Sequence, residues 1–158
     1  MAKVVTYVDD TTLFLVEMGV GPGRANNRDD VTLVQYFLNL WFQHPENARA
    51  RAVGGASNVL KADGIIGPKT KAKIKAFQNA MISRGKCILS DGCLDRMRFD
   101  DDIIVPDNKM SVYGIFCLNL EIKRLYEDEL VRLNFREDFP QRLMPMLCKY
   151  VIQIGADA

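Results

Sequence analysis

The chain has 158 residues, of which 48% are hydrophobic and 26% charged, and its formal net charge is +1. This length and composition predict one soluble globular domain, or a small module with an extension, that buries its own core. The near-zero net charge gives no overall field for nucleic acid or an anionic membrane, so electrostatic recognition must be local. No apolar stretch reaches the roughly 18 residues that cross a bilayer, so we expect no membrane insertion.

Residues 1–28 predict two short strands and an irregular loop. The strands are VVTYV and TLFLVEM, with a turn between them at residues 9–12. The acidic residues Asp9, Asp10 and Glu17 interrupt the apolar runs, which is untypical of a signal peptide. Localisation therefore stays open between the cytoplasm and export by a non-classical, phage or secretion-system route. The glycine-rich loop from residue 19 lacks the spacing of a phosphate-binding loop.

Residues 29–97 predict a pair of helices. Asp29 or Asp30 caps a first helix that starts near Val31 and stops near His44, because Pro45 disfavours helical geometry in the residue before it. Its apolar residues recur at helical spacing and include Val34, Phe37, Leu38 and Trp41. Residues 46–60, which contain a Gly-Gly pair, are expected to form a loop.

The segment DGIIGPKTKAKIKAFQ, residues 63–78, predicts a tight turn and a second helix. Asp-Gly pairs favour turns, and the helix begins at Pro68 or is capped by Thr70. Ile74, Phe77 and Met81 form its buried face, and Gly85 ends it. A second Asp-Gly pair at residues 91–92 indicates a weak internal repeat.

These two segments together resemble the peptidoglycan-binding module of cell-wall hydrolases, which is a small three-helix domain. The resemblance covers residues 29–95 and is most specific in its second half. The matching residues are Val34, Gln35, Leu38, Asp63, Gly64, Gly67, Thr70, Phe77 and Gln78. It implies a peptidoglycan-binding-like core at residues 29–97, in which the matched residues are mainly structural.

Four lysines alternate along the second helix at Lys69, Lys71, Lys73 and Lys75. At 3.6 residues per turn they spread over its flanks, so a solvated surface is the plainer interpretation. The alternative is a basic face for stem-peptide carboxylates or phosphates. As polar residues near the two helix starts, Arg28, Lys69 and Lys73 are the binding candidates.

Residues 98–158 are expected to form a helical extension that packs on the module. An acidic loop, FDDDIIVPDNK, precedes a helix from about Ser111, and a last helix at 138–152 is kinked or delayed by Pro145. The predicted fold is mainly α, with a peptidoglycan-binding-like three-helix core, a short N-terminal β-hairpin and this C-terminal extension.

The residue types that carry catalysis or bind metal are sparse. The four cysteines form no CxxC pair, so no zinc site is evident, and we expect no cofactor. Cys87 and Cys93 flank a turn and could be bridged in an oxidising compartment if their Cα separation allows it, but buried reduced thiols are the default expectation. The single histidine, His44, lies at a helix end, and the carboxylates at 100–102 are typical of solvated runs. We therefore expect a non-catalytic protein.

Three functions are consistent with these patterns. The first is a binding module for bacterial cell-wall glycopeptide, reaching the wall through a phage or secretion-system apparatus. The second is a cytoplasmic adaptor or immunity-type protein that reuses the same scaffold to bind a protein partner. The third is a small wall hydrolase whose site would involve His44 or Asp101.

Overall fold

The computed structural model describes residues 2–7, 12–53, 59–86, 88–97, 114–127, 130–147 and 151–153. Several expectations lie outside the described residues. These are most of the predicted turn at 9–12, the acidic loop at 99–109 with its three aspartates, and Cys87. Within the described ranges the protein is mainly helical with a short sheet, in agreement with the predicted class.

The described residues contain three strands, five helices and three 3₁₀ turns. The strands are β1 (Lys3–Tyr7), β2 (Thr12–Leu15) and β3 (Val151–Gln153). The helices are α1 (Arg28–Gln43), α2 (Ala48–Val53), α3 (Pro68–Ser83), α4 (Gly114–Leu125) and α5 (Met144–Leu147). Three 3₁₀ turns are at Pro45–Asn47, Leu130–Phe135 and Gln141–Leu143.

The three strands form one sheet in the order β2-β1-β3. β1 and β2 pair antiparallel, as the predicted hairpin requires, and Val4 lies opposite Phe14. β3 pairs parallel to β1, with Val5 opposite Val151.

The predicted last helix at 138–152 is wrong, because this stretch contains a 3₁₀ turn, the four-residue α5 and β3. Pro140 precedes the 3₁₀ turn, and Pro145 is the second residue of α5, where a missing amide hydrogen is tolerated. The two prolines therefore divide the stretch into short pieces. The β-branched pair Val151 and Ile152 then extends along β1.

α1 is the central helix, and every residue from Asp30 to Phe42 is buried. It begins at Arg28, three residues earlier than predicted, and ends before His44 as predicted. Neither aspartate caps it, since Asn27 precedes the first turn and makes no side-chain cap hydrogen bond. Asp29 and Asp30 instead lie inside the first turn, where a negative charge favours the helix dipole.

The predicted loop at 46–60 is partly wrong, because Ala48–Val53 is helical. Pro45 opens a 3₁₀ turn, whose next amide, Glu46 N–H, donates to His44 Nδ1 at 3.3 Å. The sequence ARARAV then continues as helix because alanine and arginine are strong helix formers.

α3 begins at Pro68 and ends before Gly85, whose φ of 81° lies in the left-handed region. Phe77 on α3 is fully buried, and its ring meets the Trp41 ring edge-on with the centroids 5.1 Å apart. Both rings are buried, as the helical spacing of the two segments predicts, and their contact joins α1 to α3. Such a pair contributes about 0.5–1.5 kcal/mol beyond the area it buries.

The buried core runs through all three predicted regions. It joins Phe14 of β2 and Leu118 of α4 to Phe37 of α1, and it includes Phe139 and Leu143 from the C-terminal segment. The boundaries predicted for the three regions stay predictions. Among the residues described, no helix has the length and apolar character needed to cross a membrane.

Candidate functional site

Gln35, in the middle of α1, clasps the turn that precedes α3. Its Oε1 accepts the N–H of Gly64 at 2.9 Å, and its Nε2 donates to the Ile65 carbonyl at 3.0 Å. The same Nε2 lies 3.4 Å from Asp63 Oδ1 and 3.2 Å from Thr70 Oγ1. Asp63 Oδ1 also accepts the N–H of Ile65 at 3.0 Å, and this bond is the main cause that lowers the pKa of Asp63. One buried amide therefore fixes both the turn and the start of α3.

Gln78, on α3, makes the same set of bonds to the second Asp-Gly turn. Its Oε1 accepts the N–H of Gly92 at 2.8 Å, and its Nε2 donates to the Cys93 carbonyl at 2.8 Å and to Asp91 Oδ1 at 3.1 Å. Asp91 Oδ1 accepts the N–H of Cys93 at 2.9 Å. The internal repeat indicated by the paired Asp-Gly sequences thus extends to individual hydrogen bonds.

The glycine in each turn has a backbone reason. Gly64 and Gly92 both have φ of 76°, a region that L-residues rarely adopt. At Gly64 a Cβ would also lie 2.5 Å from the Arg28 carbonyl oxygen, so the turn must sit tightly against α1. Gly67 precedes α3 in an extended conformation.

Three asparagines clasp backbone in the same way, and sequence reasoning missed them. The Asn39 side chain accepts the backbone N–H of Leu60 at 2.8 Å and donates to the Leu60 carbonyl at 2.7 Å. The Asn119 side chain accepts the N–H of Phe14 at 2.7 Å and donates to its carbonyl at 2.8 Å. Asn26 holds Gly21 at 2.7 and 3.0 Å. A polar residue inside an apolar helical stripe, as at position 39 of FLNLW, was the available signal.

The three binding candidates lie in different environments. Arg28 lines an open depression of about 300 Å³ together with Asn27, Asp29 and Arg142. Its Nε donates to the Asp63 carbonyl at 3.1 Å, and Arg142 lies 3.4 Å from Asp29. The structure therefore brings Arg28 together with a second guanidinium group that the sequence did not indicate.

Lys69 is exposed in the first turn of α3, as are Lys71 and Lys75 further along the helix. Lys73 differs, because it is only 6% exposed and its ammonium lies 5.0 Å from the centroid of the Phe42 ring. Burial is the main cause that lowers its pKa, and the nearby Arg51 adds to the effect. The expectation of a solvated position is therefore wrong for Lys73, while its role in binding stays a prediction, and the four lysines do not form one exposed set.

A buried carboxylate joins the ends of three helices. Glu121 of α4 accepts the indole N–H of Trp41 at 2.9 Å and lies 3.3 Å from Arg84 and 3.1 Å from Arg124. Burial acts to raise its pKa, but the bonds from Arg124 and Trp41 and the two positive charges together lower it. Arg84 also donates to Asn47 at 2.7 Å, so this group is a structural junction rather than an open site.

His44 makes structural contacts, whereas the candidate Asp101 lies outside the described residues. The Nδ1 of His44 is an acceptor within the 3₁₀ turn, and its ring packs against Tyr126 with the centroids 5.4 Å apart. Cys93 and Cys117 are buried free thiols, and burial raises the pKa of Cys117 to about 11. In the described ranges no cluster of three or more histidine, cysteine or acidic residues could hold a metal ion.

The geometry therefore assigns the motif residues to scaffold roles and leaves the depression beside Arg28 as the candidate contact surface. No protein-family model, no curated protein and no solved structure matches the chain.

Proposed function

We propose that this protein is a non-catalytic binding module that recognises bacterial cell-wall glycopeptide. The observation that carries the proposal is the pair of glutamine clasps around the Asp-Gly turns. The sequence resemblance to peptidoglycan-binding modules rests on these same residues, Gln35, Asp63, Gly64 and Gln78. In this protein the motif residues hold the turn at Asp63 against α1 and the turn at Asp91 against α3.

The depression lined by Arg28 and Arg142 supports the choice of ligand. Guanidinium groups bind carboxylates in a two-pronged geometry, and the stem peptides of cell-wall glycopeptide carry carboxylates. Arg28 uses its Nε for the Asp63 carbonyl, while Arg142 reaches Asp29 over a long 3.4 Å contact between exposed groups. Such a surface ion pair contributes little and is readily exchanged for a ligand carboxylate.

Sedimentation with purified sacculi tests this proposal. We expect the wild-type protein to be retained above a mock protein of equal charge. The double variant Arg28→Gln with Arg142→Gln should lose most of that retention. A matched control, Lys71→Gln with Lys75→Gln, removes the same charge from exposed positions on α3 and should be retained like the wild type. Equal retention of the two double variants would show that the depression is not the contact surface, and no retention of the wild type would refute wall binding.

A second candidate function, an adaptor or immunity-type protein, is supported by large apolar side chains in solvent. Phe135 is 79% exposed, and Ile65 and Leu89 are each 62% exposed. Phenylalanine is enriched at the buried centre of protein–protein interfaces, so the exposed Phe135 is the side chain that favours this function. Co-purification with one defined protein partner, together with no retention on sacculi, would favour this function over wall binding.

A further inference from the structure

The Asp63-Gly64 turn of the first repeat and the Asp91-Gly92 turn of the second repeat have similar residues after the glutamine hydrogen bonds. They differ in which part of the chain packs against them. In each turn the residue after the clasped carbonyl is apolar: Ile66 follows Ile65, and Leu94 follows Cys93. The clasp distances agree within 0.3 Å, and the glycine φ values are equal. Ile66 and Leu94 therefore occupy corresponding places in the two repeats.

In the second repeat, the backbone of Leu94 is hydrogen-bonded to another segment of the same chain. Val20 and Leu94 form an isolated antiparallel bridge, with the two N–H···O distances at 2.9 and 2.8 Å. Gly21 then passes so close to the turn that a Cβ on it would lie 2.5 Å from the Gly92 carbonyl oxygen. Arg24 completes the contact by an ion pair with Asp95. The occupant of this turn is thus a tight loop with an apolar residue at the bridge and glycine after it, closed by the hydrogen bond from Arg24 N–H to the Gly21 carbonyl.

In the first repeat the corresponding backbone groups are not used. Among the described residues, neither the N–H nor the C=O of Ile66 has a hydrogen-bond partner. The side chain of Ile65 is 62% exposed, whereas Cys93 at the equivalent position is 8% exposed beneath the docked segment. The surface that Val20 and Gly21 cover on the second turn is therefore exposed on the first turn.

We propose that Ile66 forms a backbone bridge with a loop segment of a partner protein, as Leu94 does with Val20. By the same geometry the segment has an apolar residue at the bridge and glycine after it. The first turn lacks the acidic partner of Arg24, because Gly67 stands where Asp95 does, and the exposed Lys61 and Lys69 lie close along the chain. The partner segment is therefore acidic where the chain's own segment carries Arg24. This interaction does not depend on cell-wall binding.

A titration with a peptide copied from the chain itself tests the inference. The probe has the sequence of residues 17–25 with glutamate in place of Arg24, and the ¹⁵N-labelled protein reports on each backbone amide. We expect saturable shifts centred on the amides of residues 65–67 at millimolar peptide, since one bridge offers only two hydrogen bonds. The unchanged sequence with arginine should bind more weakly, because Lys61 and Lys69 repel it.

Two controls isolate the bridge. A probe whose valine nitrogen is methylated loses the donor to the Ile66 carbonyl and sets a methyl group against that oxygen, so it should bind at least about 3-fold more weakly. In the protein, Ile65→Asp should weaken binding while Leu89→Asp, at an equally exposed position, should not. Equal affinity of the methylated probe, shifts centred on residues 92–95, or no saturable shift would each overturn the inference. All three readouts are independent of retention on sacculi, which depends on Arg28 and Arg142.

Discussion

The clasp at Gln35 provides a sharp test of the fold, because one atom distinguishes the amide from a carboxylate. In Gln35→Glu the carboxylate still accepts the Gly64 N–H, but it no longer donates to the Ile65 carbonyl or to Thr70 Oγ1. Leaving such buried acceptors without their donor costs about 1–3 kcal/mol. The new charge also lies where Nε2 was, 3.4 Å from Asp63 Oδ1, which adds repulsion of about 1–2 kcal/mol before the group protonates.

The pH dependence follows from these two contributions. Burial and the Asp63 carboxylate raise the pKa of the introduced carboxyl above its unfolded value of about 4.3. The stability deficit therefore grows as the pH rises through the folded-state pKa, and it stays constant above that. We expect Gln35→Glu to be about 3 kcal/mol less stable than the wild type at pH 7 and about 1 kcal/mol less stable at pH 4, where the neutral carboxyl again donates a hydrogen bond.

Urea unfolding followed by tryptophan fluorescence measures this difference, because Trp41 is the single tryptophan and is fully buried. Gln78→Glu faces Asp91 in the same way and should show the same dependence on pH. Gln141→Glu, at an exposed position, is the matched control and should change stability by less than about 0.5 kcal/mol. A deficit at position 35 that is independent of pH would refute the assignment of the amide as donor to Asp63 and Ile65.

Three further outcomes are expected. Phe77→Ala empties the centre of the core and should lower the free energy of unfolding by about 3–5 kcal/mol in the same urea assay; a loss below 1 kcal/mol would contradict its burial against Trp41. Burial raises the pKa of Asp30 to about 6 although the N–H groups of Glu17 and Met18 donate to it, so carboxyl ¹³C shifts should titrate near pH 6. As the pH rises from about 4 to about 6, the free energy of unfolding of the wild type should then fall relative to that of Asp30→Asn. A titration midpoint of the Asp30 carboxyl below pH 4 would show that the two hydrogen-bond donors outweigh burial. Cys117, with its pKa raised to about 11, should resist thiol reagents at pH 8 until unfolding, as peptide mapping by mass spectrometry would report.

The sequence was most informative where local chemistry decides the structure. Gly85 ends α3 and Pro45 ends α1 because the conformational preferences of glycine and proline act within one or two residues. Helical spacing alone placed Trp41 and Phe77 on the apolar faces of α1 and α3, where the two rings meet. These features depend on few residues close together, so single-sequence reasoning reaches them.

The missed features depend on partners far along the chain. β3 forms because β1 offers it an edge, and nothing within residues 138–153 indicates that pairing. Arg142 reaches the depression beside Arg28 only because the C-terminal segment lies against α1. Lys73 is buried by Phe42, on the other helix. Periodicity places a residue on a helix face but does not say what covers that face.

The parallel pairing of β1 with β3 has a consequence for biosynthesis. In the chain, β1 precedes the five described helices, whereas its parallel neighbour β3 follows them and is translated later. The helical core can assemble while the nascent chain is still growing, whereas this edge of the hairpin must wait. An unpaired strand edge attracts other nascent chains, so the interval before β3 arrives is when this protein is most exposed to misassembly and most dependent on chaperones.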